Sequence, residues 1–188
     1  MNTIRKINIM LLGVMLFATG AVAQTFHYNT TRTFRETGFT YQANVSGGWV
    51  VLFNANNRHN IDQEQTWRDG RMITIEDTRR FPSTVEPCVL TIRTTVHNIV
   101  RNALSAAERQ RMSDRQLMVV MQVNQTATTP QPVTEVWFSF PNNSPFATLP
   151  VSVYRRIELE IKRQVRLMPN AHGRELNFVQ VGFPVRVN

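Results

Sequence analysis

Residues 116–124, QLMVVMQVN, and 133–140, VTEVWFSF, decide the fold. In the first, Leu117, Val119, Met121 and Val123 alternate with Met118, Val120 and Gln122; in the second, Val136, Phe138 and Phe140 alternate with Glu135, Trp137 and Ser139. Side chains two apart share one face of a strand, so both segments are expected as strands. A loose threonine-rich loop carrying Pro130 and Pro132 joins them, and Pro141 ends the second.

Helical spacing flanks this pair. Upstream, Val89, Ile92, Val96, Ile99, Val100 and Ala103 recur at intervals of three and four behind Pro87, which predicts a helix, although alternation over Cys88 to Thr94 also fits a strand. Ser105-Ala106-Ala107-Glu108 has the form of a capping box, so a short second helix is expected to follow and to end near Ser113. Downstream, Pro150 opens the longest helical pattern, with Tyr154, Ile157, Ile161, Val165 and Met168 on one face. Glu158 and Lys162 stand four apart in the favourable order, and Pro169 with Gly173 supplies the stop. Leu176 to Val187 reads as a last strand, interrupted by Gly182 and Pro184.

The order helix, strand, strand, helix, strand over residues 86–188 predicts an α+β domain: a three-stranded antiparallel sheet with helices on one face. The other face of that sheet is also apolar and needs a cover. Residues 24–85 offer one. Phe39 to Val45 and Trp49 to Phe53 flank Ser46-Gly47-Gly48, a hairpin pattern, and Gln65 to Trp67 with Met72 to Ile75 flank Asp69-Gly70, a weaker one. An N-terminal β-meander is expected there, closed off by the proline-bounded stretch from Phe81 to Pro87.

The first 23 residues have Arg5 and Lys6, then an uncharged apolar run from Ile7 to Phe17, then Ala21-Val22-Ala23, the layout of a cleaved secretory signal peptide. Export to the periplasm or beyond is therefore expected, with Gln24 as the new N-terminus and no membrane span afterwards. With one cysteine, Cys88, no internal disulfide and no all-thiolate zinc site can form. The 188 residues carry 21 basic and 13 acidic side chains; taking away Arg5 and Lys6 leaves 19 bases, of which all but Lys162 are arginine. Arginine suits planar contacts with carboxylate or phosphate, but here the arginines are spread along the chain without a block, and nucleic acid is not an expected partner outside the cell.

The motifs Val165-Arg166-Leu167-Met168-Pro169, Gly173-Arg174-Glu175-Leu176 and Phe183-Pro184-Val185-Arg186-Val187, together with the order of elements, give residues 88–188 a resemblance to the C-terminal domain of TonB-type energy transducers. The Trp-x-Pro that such domains place after Met-Pro is missing, as are the Gly-x-Val before the first strand, the Asp-Gly turn of the hairpin and the proline-rich spacer. The resemblance thus implies a fold and a peptide-binding edge, not force transduction. The whole chain is similar to small exported proteins of Gram-negative anaerobes.

Candidate chemistry is sparse. Cys88 and His97 stand nine apart on one helix, on different turns, which does not make a nucleophile and base. His59, Asp62 and Glu64 supply possible cation ligands in a polar loop, where solvated side chains are the commoner outcome. His27 and His172 have no partner in the sequence, and Ser46-Gly47-Gly48 lacks the lysine and helix of a phosphate loop. No catalytic residue, metal or cofactor is expected, and no enzyme. The four Asn-x-Ser/Thr sequons, at Asn29, Asn44, Asn124 and Asn142, carry weight only in a glycosylating host. Two binding classes remain. In the first, the last strand lies at a sheet edge, where proline is tolerated, and pairs with an extended segment of an envelope protein or peptide through Glu175, Leu176, Phe178, Val179 and Gln180. A homodimer would occupy the same edge. In the second, Tyr41, Trp49 or Trp67 stacks on an envelope or dietary glycan.

Overall fold

The computed structural model describes residues 26–56, 61, 63–81, 83–87 and 89–187. The expected leader, His59, Asp62 and Cys88 lie outside the described residues. The elements in chain order are β1 (Arg32–Glu36), β2 (Phe39–Ser46), β3 (Trp49–Asn54), α1 (Ile75–Arg80), β4 (Val85–Glu86), α2 (Val89–Asn102), α3 (Ala106–Arg111), β5 (Leu117–Val123), β6 (Gln131–Pro132), β7 (Glu135–Pro141), α4 (Val151–Gln164), β8 (Arg166–Pro169) and β9 (Val179–Val185). The chain is thus α+β with antiparallel pairing throughout.

The expected sheet of three strands is one half of a larger one. A six-stranded sheet runs in the order β1-β2-β3-β7-β5-β9. The meander does not cover the β5–β7–β9 sheet; it extends it edge to edge, with Val50 opposite Phe140 and Leu52 opposite Phe138. The physical reason is continuity of the apolar layer. Val50, Leu52, Phe138, Phe140, Val119 and Met121 all face one side and are fully buried, so joining the two halves completes one core against α2 and α4 instead of two smaller ones. The β2–β3 hairpin forms as its glycines require: Gly47 and Gly48 both have positive φ, 56° and 79°.

Helix α4 buries Tyr154, Ile157 and Ile161 against the sheet, with Tyr154 stacked on Phe140 at 5.5 Å between ring centroids and tilted on Phe138 at 5.0 Å. Tyr28, from the segment before β1, enters the same core and donates from its hydroxyl to the Leu149 carbonyl at 2.9 Å. Helix α2 buries Ile92, Val96, Ile99 and Val100, so the alternative strand reading of its start gives way to the 3.6-residue period. The capping box at Ser105 and Glu108 is present, with Ser105 N–H donating to the glutamate at 2.7 Å.

Three expectations are corrected. The long helix stops at Gln164, and Met168 lies in β8, which pairs with β4 and β6 in a second, three-stranded sheet. Pairing with Val85–Glu86 and Gln131–Pro132 captures that segment, and Leu167 is buried there. The threonine-rich loop accordingly contains a short strand. The second N-terminal hairpin shrinks to an isolated Thr66–Met72 bridge around the turn at Gly70, because Ile75 starts α1 under a Thr74–Asp77 capping box. The last strand begins at Val179, since Gly173–Glu175 forms a 3-10 turn and Leu176 makes only a bridge to Trp67. No helix among the described residues is long and apolar enough to cross a membrane.

The Glu158–Lys162 pair is more than a helix-surface contact. Glu158 is completely buried and accepts from the Tyr41 hydroxyl and from Arg155 at 2.9 Å, with the Lys162 ammonium 2.9 Å away. Lys162 also reaches Glu135 at 3.0 Å. This knot ties β2, β7 and α4 together beneath the sheet. Burial pushes the Glu158 carboxyl up, but the bonds from Tyr41, Lys162 and Arg155 outweigh it and hold the carboxyl below the ordinary glutamate range.

Candidate functional site: a cleft along the free edge of β9

Strand β9 ends the six-stranded sheet, paired with β5 on one side only. Proline has no N–H to give a ladder, so it belongs where its nitrogen points away from the neighbouring strand. Pro184, opposite Met118, meets that condition on the outer edge. The same parity turns the N–H and C=O of Gln180 and Gly182 outward. Among the described residues no backbone group pairs with them.

A cleft of about 280 Å³ runs along this edge. Gln180, Val181 and Gly182 form one wall; Trp67, Phe81 and His172 form an aromatic wall opposite. Trp67 is fixed by the Asp69-Gly70 turn, where Gly70 has φ 86° and its N–H returns to the Trp67 carbonyl at 2.9 Å. The indole N–H points at the Asp77 carboxylate at 3.3 Å, and the Arg71 guanidinium lies 4.9 Å from the ring centre. Asp77 also accepts from the Thr74 N–H at 3.0 Å and the Thr74 hydroxyl at 2.9 Å; the backbone bond from Thr74, with the donors from Thr74, Trp67 and Arg71, holds the carboxyl below its ordinary range despite some desolvation. The Phe81 and His172 rings lie 3.8 Å apart, and Phe81 meets Trp67 edge-on at 6.1 Å.

The remaining rim is backbone. Asn170 holds it: its side-chain amide donates to the Ser83 carbonyl at 2.8 Å and its N–H to the Thr84 carbonyl at 3.0 Å. Gly173 lies so close that a Cβ there would fall 2.1 Å from the Thr84 oxygen. The glycine read in the sequence as a helix stop is a close-approach residue instead. These bonds leave the cleft able to hold one or two side chains or a single sugar ring, at the small end of ligand sites. Two of the polar groups lining it are committed to structure, Asp77 to Thr74, Trp67 and Arg71, and Ser83 to the Val85 carbonyl. Among the described residues no three His, Cys, Asp or Glu side chains converge as a metal site.

Of the five edge residues expected from sequence, Leu176 and Gln180 line the cleft. Glu175 lies in the 3-10 turn, where its carbonyl accepts from Arg68, while Phe178 and Val179 are buried. Of the aromatics considered for a glycan, Trp67 is 8% exposed in the cleft wall, Trp49 is 53% exposed at the far end of β3, and Tyr41 is wholly buried on Glu158. Tyr41 is therefore removed as a stacking surface. Phe81, His172 and Asp77 were not legible as one group, although Thr74-x-x-Asp77 is itself a capping-box signature that marks the start of α1. Glu64 is exposed beside this region, and His97 sits on α2 without a described nucleophile.

The fold is similar to that of a protein of known structure. The crystal structure of a DUF5043 family protein from Bacteroides uniformis ATCC 8492 is similar over 86% of this chain and 94% of its own, at 27% sequence identity and a TM-score of 0.74. No curated relative matches the chain. The model of the domain of unknown function DUF5043 matches residues 24–183, nearly everything after the expected leader, and the chain is therefore a member of the DUF5043 family.

Proposed function

We propose that this protein is exported to the periplasm or cell exterior and acts there without catalysis, binding an extended segment of an envelope protein or peptide by adding it to the β9 edge. The observation that carries this reading is the juxtaposition of an unpaired backbone edge at Gln180–Gly182 with an aromatic-walled cleft. Strand addition needs both: main-chain donors and acceptors for affinity, and a pocket for alternate side chains. The opposite edge of the sheet, β1, carries exposed Arg32, Arg35 and Glu36, the charges that discourage pairing, whereas β9 between Val179 and Val185 has none. The resemblance of the helix and strand order to TonB-type C-terminal domains points the same way.

The test selects binders from a random dodecapeptide display library on the protein lacking residues 1–23, then N-methylates one selected peptide at each residue in turn. Strand addition predicts loss of binding at every second residue, because alternate N–H groups face the edge. Uniform loss, no loss, or no selected peptide refutes it. The aromatic wall supports a second reading, an envelope or dietary glycan stacked on Trp67, and retention of neutral oligosaccharides with no peptide selected favours that one.

A further inference from the structure

Gln122 and Gln180 are directly opposite on β5 and β9, on the sheet face away from the helices. Gln122 is only 5% exposed. The side-chain oxygens of both are buried and, among the described residues, accept no hydrogen bond. Buried acceptors are nearly always satisfied, and an orphan costs more than an average bond returns, so two orphans side by side at the wall of a cleft mark the place of a missing donor. Neither glutamine donates to the other as the structure stands. Gln180 is also the residue whose backbone faces the free edge and whose side chain lines the cleft.

We infer that the segment paired to β9 carries a neutral side chain with a hydrogen-bond donor, an asparagine or glutamine, opposite Gln180. This rests on the edge-pairing reading above and names the chemistry that edge selects. In-register amides on adjacent strands form ladders in which each NH₂ donates to the next carbonyl oxygen. The Gln180 side chain lines the cleft but now holds Oε1 away from it; a turn of the amide presents Oε1 to an incoming donor, which fixes the direction of such a ladder, and Gln180 Nε2 then donates to Gln122 Oε1. One donor from the partner thus satisfies both orphans. An acidic residue at that position supplies only acceptors facing an acceptor, and an apolar one leaves both orphans buried, so both are disfavoured. The carbonyl oxygen of the incoming amide faces out of the cleft to water.

The experiment is a positional scan of a selected, fluorescein-labelled peptide, placing Asn, Asp or Leu at each residue in turn, read by fluorescence anisotropy on the native protein, on Gln180→Leu and on Gln122→Leu. The expected result is one position where Asn binds about ten-fold more tightly than Leu or Asp, the worth of one buried hydrogen bond. That preference collapses to less than about two-fold on Gln180→Leu, where the Leu peptide binds at least as well, and shrinks on Gln122→Leu. Circular dichroism reports whether each variant is folded, and Gln180→Met stands in for a leucine variant that is not. Binding with an alternating N-methylation pattern but no Asn preference at any position overturns this inference and leaves edge pairing standing. Binding without the alternating pattern overturns both, as does a concentration-dependent dimer that excludes every peptide.

Discussion

Replacing Glu158 by glutamine keeps the shape of the buried knot beneath β2 and removes its charge. Three donors converge on the carboxylate: the Tyr41 hydroxyl, Arg155 and Lys162. A hydrogen bond to a charged group contributes about 1.5–3 kcal/mol and a neutral one about 0.5–1.5; the amide oxygen can still accept from Tyr41 and Arg155 but the amide NH₂ cannot accept from Lys162, so two weakened bonds and one lost contact cost roughly 3–5 kcal/mol. The amide recovers part of the carboxylate's desolvation cost, and Lys162 keeps Glu135 as a second acceptor. Arg155 and Lys162 are about a quarter exposed, 25% and 26%, and can turn toward water. The expected net loss is about 2–3 kcal/mol at pH 7, a sizeable share of the roughly 5–15 kcal/mol that a domain has. In urea that is a fall in midpoint of about 1–2 M with the slope unchanged. The pH dependence has a definite sign. The folded carboxyl titrates below the ordinary 4.5, so its contribution is fully present above that value and is lost as pH falls through the folded-state pKa. The native protein therefore loses more stability on acidification than Glu158→Gln, and the gap between them narrows as the pH falls below the ordinary glutamate range. A variant whose midpoint at pH 7 equals or exceeds that of the native protein refutes the reasoning, because it shows that desolvation of the carboxylate cancels all three bonds.

Ile161 is fully buried where α4 meets the sheet, and Ile161→Ala is expected to cost about 2–5 kcal/mol in chemical denaturation. Gly173→Ala drives a methyl group toward the Thr84 carbonyl, which must shift; a loss of about 1–3 kcal/mol is expected, and unchanged thermal stability contradicts the close approach. Ser105→Ala removes one half of the α3 capping box and is expected to cost about 1 kcal/mol, measured the same way. Material recovered from the periplasm should have the intact mass of a chain beginning at Gln24, and a full-length, membrane-held species contradicts leader removal.

How far the sequence alone reaches can be traced element by element. Strands β5 and β7 follow from strict alternation and the β2–β3 hairpin from paired glycines with positive φ. Helices α2 and α4 follow from a period near 3.6, and α3 from its capping box. All of these are set by short-range sterics, hydrogen bonding or periodicity within about a dozen residues, so they are visible before any tertiary contact forms. The edge position of the last strand was also legible, because Pro184 restricts where the strand can sit.

What the sequence left open was settled by contacts between distant segments. Whether the N-terminal hairpin covers the sheet or extends it depends on β3 finding β7, some ninety positions away, and no local signal ranks the two. Met168 continues the helical stripe of Ile157, Ile161 and Val165, yet pairing with β4 and β6 puts it in a strand, since tertiary hydrogen bonds outweigh a propensity difference of a few tenths of a kcal/mol. Glu158 reads as half of a helix-surface ion pair until Tyr41 of strand β2 is laid over it. The cleft is the extreme case. Trp67, Phe81, His172 and Gln180 come from four separate segments, each unremarkable in isolation, and only the closed fold brings aromatic rings, orphaned amide oxygens and an open backbone edge to one place.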